Sequence, residues 1–236
     1  YIDWIEENQK NFIVIAVTRI ARRLLQTKIK PDIFVSVDPH IYNFNVSKEV
    51  LNYEKSSLLV NQFHITPALL GNWFGVNLYL GDLFPWQTPL NKQNITGIGP
   101  TVTNTAILLA INMGIKTQIL FGVDLCYSIE GFTHAKGSHE HENGPKINEI
   151  GQTVTTNKGE TAETNSAYFD AITTIEQLAE LATKSGSTLI NPSPDSARMN
   201  NVEHVNIDEI PIANEKVSIQ KLLHEQIELK ENKNYL

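Results

Sequence analysis

The sequence predicts an α/β fold, a mostly parallel sheet with helices on both faces. Three observations point there. Short apolar, β-branched runs recur along the chain at residues 12–17, 33–37, 57–60, 118–123 and 188–191. Their continuous hydrophobicity suits strands buried on both faces, which is the condition of strands in a parallel sheet. Segments with helical spacing of apolar residues separate them, giving the β-α-β-α-β alternation of doubly wound folds. Finally, these runs end in polar or turn residues, Thr18, Asp38, Asp124 and Asn191, as strands do when they empty into ligand-binding loops.

Asp3 to Gln9 reads as the end of a helix that leads into the first strand, Phe12 to Val17. Thr18 is placed to cap a helix over Arg19–Lys28, broken by Lys30-Pro31-Asp32. The second strand, Ile33 to Val37, stops at Asp38-Pro39, and a helix around Val46–Tyr53 precedes a third strand at Ser57–Val60. Residues 72–80 supply a further strand before a loop containing Gly, Pro and Asn. The clearest unit follows: Gly97-Ile-Gly-Pro-Thr, a helix from Val102 to Met113 stopped by Gly114, and the strand from Gln118 that ends in Asp124. Residues 128–162 are polar and read as a functional lid or a disordered segment, since so long a connection is unusual in a compact domain. A long helix, Asn165 to Lys184, carries a buried stripe of Tyr168, Ile172, Ile175, Leu178 and Leu181. The last strand, Thr188–Asn191, completes an α/β domain over residues 1–205, and residues 206–236 form a C-terminal extension with a helix near Ser218–Leu229.

At 236 residues the chain can bury a large core without disulfides. Its net charge of -7 argues against a nucleic-acid partner, which demands a broad positive surface. The single cysteine, Cys126, excludes an internal disulfide and fits a reducing, cytoplasmic setting. No apolar run approaches the roughly 20 residues of a membrane span. The start at Tyr1 reads as that of a piece cut from a longer protein.

The strand-end rule selects the candidate binding residues Thr18, Asp38, Asp124 and Asn191, with Gly122 in the apolar run that ends at Asp124. Thr101, Thr103 and Asn104 open the helix after Gly99-Pro100, where free amides and a positive dipole end suit a phosphate, although such residues are also ordinary helix-start chemistry. Asp124 and Asp38 equally fit the roles of turn cap and strand terminator. His134, His139 and His141, interleaved with Glu140 and Glu142, match no recognised metal motif, and we assign no metal to them. His134 is a candidate general acid or base, while Glu160 and Glu163 also suit the dipole of the following helix.

Thr101 to Leu125, with its Gly-x-Asp-Leu ending, then Gly131-Phe-Thr-His-Ala-Lys-Gly, resembles the motility-accessory-factor (Maf) family of flagellin glycosyltransferases, in its central MptE-like, sialyltransferase-like domain. Ile29 to Pro39 and Asn191-Pro192 resemble it in the same order, so the likeness covers most of residues 1–200. It implies a Rossmann-like, sialyltransferase-like domain that moves a nonulosonic acid, pseudaminic or legionaminic acid, from a CMP-activated donor to Ser or Thr of flagellin without a required metal cofactor. On the same likeness Thr18 and Asp38 lie near the donor, Thr101, Thr103 and Asn104 near its carboxylate or phosphate, Asp124 at the nucleotide, and His134 in the lid.

The family's Gly-x-Gly-Pro-Ser-Leu loop would precede Tyr1. Sialyltransferases place a catalytic histidine just before the long helix, where this sequence reads Gly159-Glu-Thr-Ala-Glu-Thr-Asn, so His134, Glu160 and Glu163 remain the candidates for the base. Two other readings stay open: a pterin pyrophosphokinase using ATP and Mg²⁺, with Asp38 and Asp124 as metal carboxylates, and a flagellin-binding module without catalysis.

Overall fold

The six strands expected from the sequence form, together with three that it does not announce, and among the described residues all but one hairpin of them are parallel. The computed structural model describes residues 1–62, 65–81, 97–134, 136–144, 151–212, 216–219, 221–223 and 225. The first sheet holds β1 (Ile15–Val17), β2 (Ile33–Ser36), β3 (Leu58–Gln62) and β4 (Asn77–Leu80), in that spatial order and all parallel. The second holds β5 (Thr117–Ile119), β8 (Thr188–Ile190) and β9 (Val202–Glu203), again parallel. Between the strands of the first sheet and those of the second lies α5 (Val102–Asn112), which packs against β1 and β2 of the first and against α7 (Ser166–Lys184). Ligand crevices of open α/β sheets form beyond the carboxyl ends of the strands.

Alternation along β2 and β3 distributes side chains to two faces. Phe34 and Leu59 pack with Leu24, Val50, Tyr53, Leu69 and Trp73 on the side of α2 (Ala21–Leu24), α4 (Pro67–Asn72) and the 3-10 segment Lys48–Tyr53. Ile33, Val35, Leu58 and Val60 face Leu109 of α5 and the buried Ile219 on the other. Lys216 adds an ion pair to Asp32 at 2.8 Å, so the described part of the C-terminal segment is seated against the first sheet. Helix α5 is apolar on several sides because it serves two cores: Leu109 meets the first sheet, whereas Ile107 and Ile111 join Ile175, Leu178 and Leu189 beneath the second.

The helix α5 begins and ends where the sequence places it. Thr101 is its N-cap and forms a reciprocal capping box with Asn104, and Gly114 follows with φ of 76°. Helix α7 (Ser166–Lys184) is likewise capped by Asn165, whose side chain accepts from the Tyr168 amide at 2.9 Å. Several expectations are corrected. The Arg19–Lys28 helix shrinks to a 3-10 turn at Thr18–Ile20 and the four residues of α2, because the amides of Gln26 and Thr27 reach back only three residues, to Arg23 and Leu24. Thr18 is the first residue of that turn and caps nothing with its side chain. The expected helix over Val46–Tyr53 is divided between α3 (Tyr42–Ser47) and the 3-10 segment. Asn72 ends α4, a helix the sequence reading missed, and β4 starts only at Asn77.

The largest correction concerns residues 128–162. Part of that stretch is ordered as the antiparallel hairpin β6 (Gln152–Thr155) and β7 (Thr161–Thr164), and another part is the single-turn helix α6 (His139–Glu142). The hairpin is fastened to the loop after β8 by the Thr156–Ala197 bridge and by amides of Asn157 and Lys158 that donate to Ser196 and Pro194. Residues 219, 221–223 and 225 are helical, as expected near the C-terminus; the remainder of that expected helix lies outside the described residues. No helix among the described residues is long and apolar enough to cross a membrane.

Candidate crevice at the carboxyl ends of the two sheets

The end of the first sheet is a charged edge. Thr18, directly after β1, is 2% exposed, and Arg19 beside it spreads its guanidinium over two carboxylates. Its Nη2 donates to Asp38 Oδ2 at 2.9 Å and its Nη1 to Glu140 Oε1 of α6 at 3.0 Å. The second oxygen of Asp38 accepts from the His40 amide at 2.9 Å. Asp38 is thus at the strand end as expected, with both oxygens engaged. One turn on, Arg22 grips Glu142 with two nitrogens at 2.8 and 2.9 Å and approaches His139 Nδ1 at 3.1 Å. The Arg22 contacts hold the Glu142 carboxyl below the usual glutamate range. The His–Glu cluster is therefore an ionic clasp on α2. Among the described residues no three His, Cys, Asp or Glu side chains are placed to share a metal ion.

The end of the second sheet is a crowded edge. Asp124 opens to solvent on one side, yet the protein that packs around its other sides strips enough water to raise its carboxyl pKa. A hydrogen bond with Ser193 opposes that rise, and the nearby Asp195 carboxylate adds to it. Tyr1 is drawn into the same group: its hydroxyl donates to the Pro192 carbonyl at 3.0 Å, and burial, then Asp124 and Asp195, raise its pKa. Burial, with Asp124 next, lifts the Cys126 thiol to about 11, so Cys126 stays protonated and is no nucleophile at neutral pH. Asn191, 1% exposed, donates to the Val123 carbonyl at 3.0 Å and accepts from the Ser193 amide at 3.0 Å, which fixes the loops after β5 and β8 against each other. A cleft of about 290 Å³ beside it is lined by Tyr1, Pro192, Pro194, His204, Asn206 and Ile207.

Tyr168 lies in the first turn of α7, with its ring edge-on to Tyr127. Its hydroxyl donates to the Thr133 carbonyl at 3.1 Å, and its pKa is pushed up to about 12 by burial, with smaller contributions from Tyr127, Glu140 and Asp124. Sequence reasoning placed Tyr168 in the buried stripe, where its ring does pack, and missed its hydroxyl. His134 is next to this junction, with Nδ1 2.8 Å from Thr133 Oγ1.

The start of α5 is divided in its duties. Asn104 is fully buried; its oxygen serves Thr101 and its amide donates to Ala171 of α7 at 3.1 Å. The amides of Val102 and Thr103 donate no hydrogen bond to the described residues, so the open end of the helix consists of those two. Thr103 is half-buried on that turn and Gly122 is exposed, its φ of 67° providing the turn before Asp124. Glu160 and Glu163 lie elsewhere, on the hairpin. Glu160 is exposed and paired with Lys158 at 2.8 Å, which also holds Asp195 at 2.8 Å; Glu163 is exposed on β7. Arg19, Arg22 and Ser193 were missed by the sequence reading. The concentration of three of the chain's four arginines within Arg19–Arg23 was the available signal.

A family model described as 6-hydroxymethylpterin diphosphokinase MptE-like matches residues 1–130, more than half of the chain. The chain belongs to the MptE-like family. The matched span holds the whole first sheet, α5, β5 and Asp124. A solved structure titled as a MAf glycosyltransferase, from Magnetospirillum magneticum AMB-1, shares the fold with a TM-score of 0.69 at 19% identity. The likeness covers 89% of this chain and 32% of that one, so this MptE-like chain spans about a third of its structural relative. The α/β, Rossmann-like fold and the MptE-like family expected from the sequence both hold. No curated protein matches the chain.

Proposed function

We propose that this MptE-like domain is the donor-binding, catalytic part of a glycosyltransferase that moves a nonulosonic acid, pseudaminic or legionaminic acid, from a CMP-activated donor to Ser or Thr of flagellin. The observation that carries the proposal is the pair of strand-end edges, with paired charges at the first sheet and Asp124 hydrogen-bonded to Ser193 at the second, in a fold shared with a MAf glycosyltransferase. On this reading Asp124 and Ser193 receive the nucleoside, and the open amides of Val102 and Thr103 meet its phosphate. Thr18, Asp38 and Asn191 shape the site: Asp38 orients Arg19, and Asn191 fixes the loop that carries Ser193.

The reaction is an inverting displacement. The acceptor hydroxyl oxygen bonds to the anomeric carbon, the bond from that carbon to the CMP phosphate oxygen breaks, and its electron pair leaves with CMP. A base takes the hydroxyl proton. His134 suits that task best of the three candidates, since it stands beside the Thr133–Tyr168 junction, whereas Glu160 is held by Lys158 and Glu163 is exposed on the hairpin. Tyr168, held protonated, remains a hydrogen-bond donor throughout.

The family description favours a second reading, diphosphate transfer from ATP to a hydroxymethylpterin. That chemistry uses Mg²⁺ held by carboxylates. Asp38 suits such a clamp poorly, since both of its oxygens are engaged by Arg19 and the His40 amide. Calorimetric titration separates the readings. Metal-independent CMP binding in the presence of a chelator is the expected result; ATP binding that requires Mg²⁺, without CMP binding, transfers the assignment to the diphosphokinase.

A further inference from the structure

We propose that Arg19 and Arg22 form a phosphate-binding subsite at the carboxyl end of β1, and that α6 occupies this subsite with Glu140 and Glu142 until a nucleotide phosphate replaces them. The inference rests on the reading of the crevice as a nucleotide site and names a part of it that faces the leaving group.

Four observations lead to it. In a chain of net charge -7, three of four arginines fall within five residues directly after β1, where the fold places its ligands. Glu142 meets Arg22 in the forked, bidentate geometry that phosphate also satisfies, while Glu140 takes one nitrogen of Arg19 and Asp38 the other.

Next, α6 has no core of its own. Its four residues include none that is buried, and beyond the ion pairs it is held by the Ser138 cap and by the stacking of His141 on Phe132, with ring centres 4.0 Å apart. The Arg22–Glu142 pair, with both side chains partly exposed, is worth at most about 1 kcal/mol, so a doubly charged phosphate competes well for Arg22.

Finally, the closed arrangement is incompletely satisfied. His139 Nε2 and Glu49 Oε2 are buried beneath α6 without a hydrogen-bond partner, and the closest approach of these two side chains is 3.7 Å. Opening returns both groups to water, which offsets part of the cost of breaking the clasp.

Pyrophosphate and CMP are the probes, titrated calorimetrically into the native domain, Arg22→Gln and the double variant Glu140→Gln/Glu142→Gln. Removing the carboxylates should tighten pyrophosphate binding, by about tenfold for an occupancy of roughly nine-tenths. Arg22→Gln should weaken it by about tenfold or more. In the native domain, pyrophosphate should speed hydrogen exchange at the amides of Glu142 and Gly144, which close the α6 turn. Affinity unchanged by Arg22→Gln, affinity unchanged or weakened in the double variant, or exchange at α6 that slows or stays constant would each overturn the proposal. Pyrophosphate binding that follows these rules without CMP binding leaves the subsite standing and removes the nucleotide reading. Equal CMP binding by the native domain and Arg22→Gln does the reverse.

Discussion

The two strand-end edges answer the same problem, how to hold polar side chains at the mouth of a parallel sheet, in opposite ways. At the first sheet, charges are paired with charges: Arg19 with Asp38 and Glu140, Arg22 with Glu142. At the second, neutral hydrogen bonds through Asn191 and Ser193 fix the loops, and an aspartate is left partly desolvated beside another carboxylate. The difference teaches where each edge draws its rigidity. The charged edge depends on salt and on both partners being ionised, while the crowded edge depends on burial and resists salt.

Asn191→Ala offers the strongest test of that contrast. It removes hydrogen bonds between the loops after β5 and β8 and leaves the Val123 carbonyl and the Ser193 amide without their partner, which should cost about 2–3 kcal/mol in urea unfolding, largely independent of salt. Thr101→Ala comes next, at about 1 kcal/mol, because the capping box loses its acceptor while Asn104 keeps Ala171. Arg22→Gln should cost less than about 1 kcal/mol at low salt and show no difference from the native protein at 1 M salt. A large, salt-independent loss there would erase the distinction between the edges.

The finest test is pH. Asp124 has a folded pKa above its ordinary 3.8, so its contribution to stability is fully present below that value and is lost as pH rises through the folded pKa. Asp124→Asn should therefore be more stable than the native protein at neutral pH and show no gain well below pH 3.8. Glu142 has a folded pKa below its ordinary 4.5, so its contribution is present above that value and is lost as pH falls through the folded pKa. Glu142→Gln should lower stability slightly at neutral pH, with the deficit vanishing in acid. Thermal unfolding of both variants across pH 3 to 7 reads the two opposite slopes, and equal slopes would contradict the account.

The same contrast explains what the sequence made legible. Local chemistry announces α5: Thr101 and Asn104 at its start and Gly114 after its end leave little for tertiary structure to decide. The strand-end residues of the second edge, Asp124 and Asn191, follow apolar runs directly and are equally visible. The first edge is written in distant pairs. Arg19 and Glu140 are 121 positions apart, and no local rule joins them. The hairpin β6–β7 did have a local signal, Thr-rich alternation on both sides of Asn157-Lys158-Gly159, with Gly159 at φ of 90°, but its exposed polar strands lack the hydrophobic pattern that marks a core strand. Helix α4 was marked by Thr66-Pro67, a cap position followed by proline at the first turn, and was hidden by its brevity. His134, Glu160 and Glu163 could not be ranked from sequence because their value depends on neighbours: Thr133 and Tyr168 for the first, Lys158 for the second, exposure for the third.

The central claim is that the two edges are walls of one nucleotide crevice, and hydrogen exchange of the native domain with and without CMP in a chelator tests it most directly. The account predicts that CMP slows exchange on both sides together, at Val102 and Thr103 and at the loops carrying Asp124 and Ser193, while exchange at Glu142 and Gly144 of the α6 turn speeds up. Protection confined to one edge, or none at either, would contradict it.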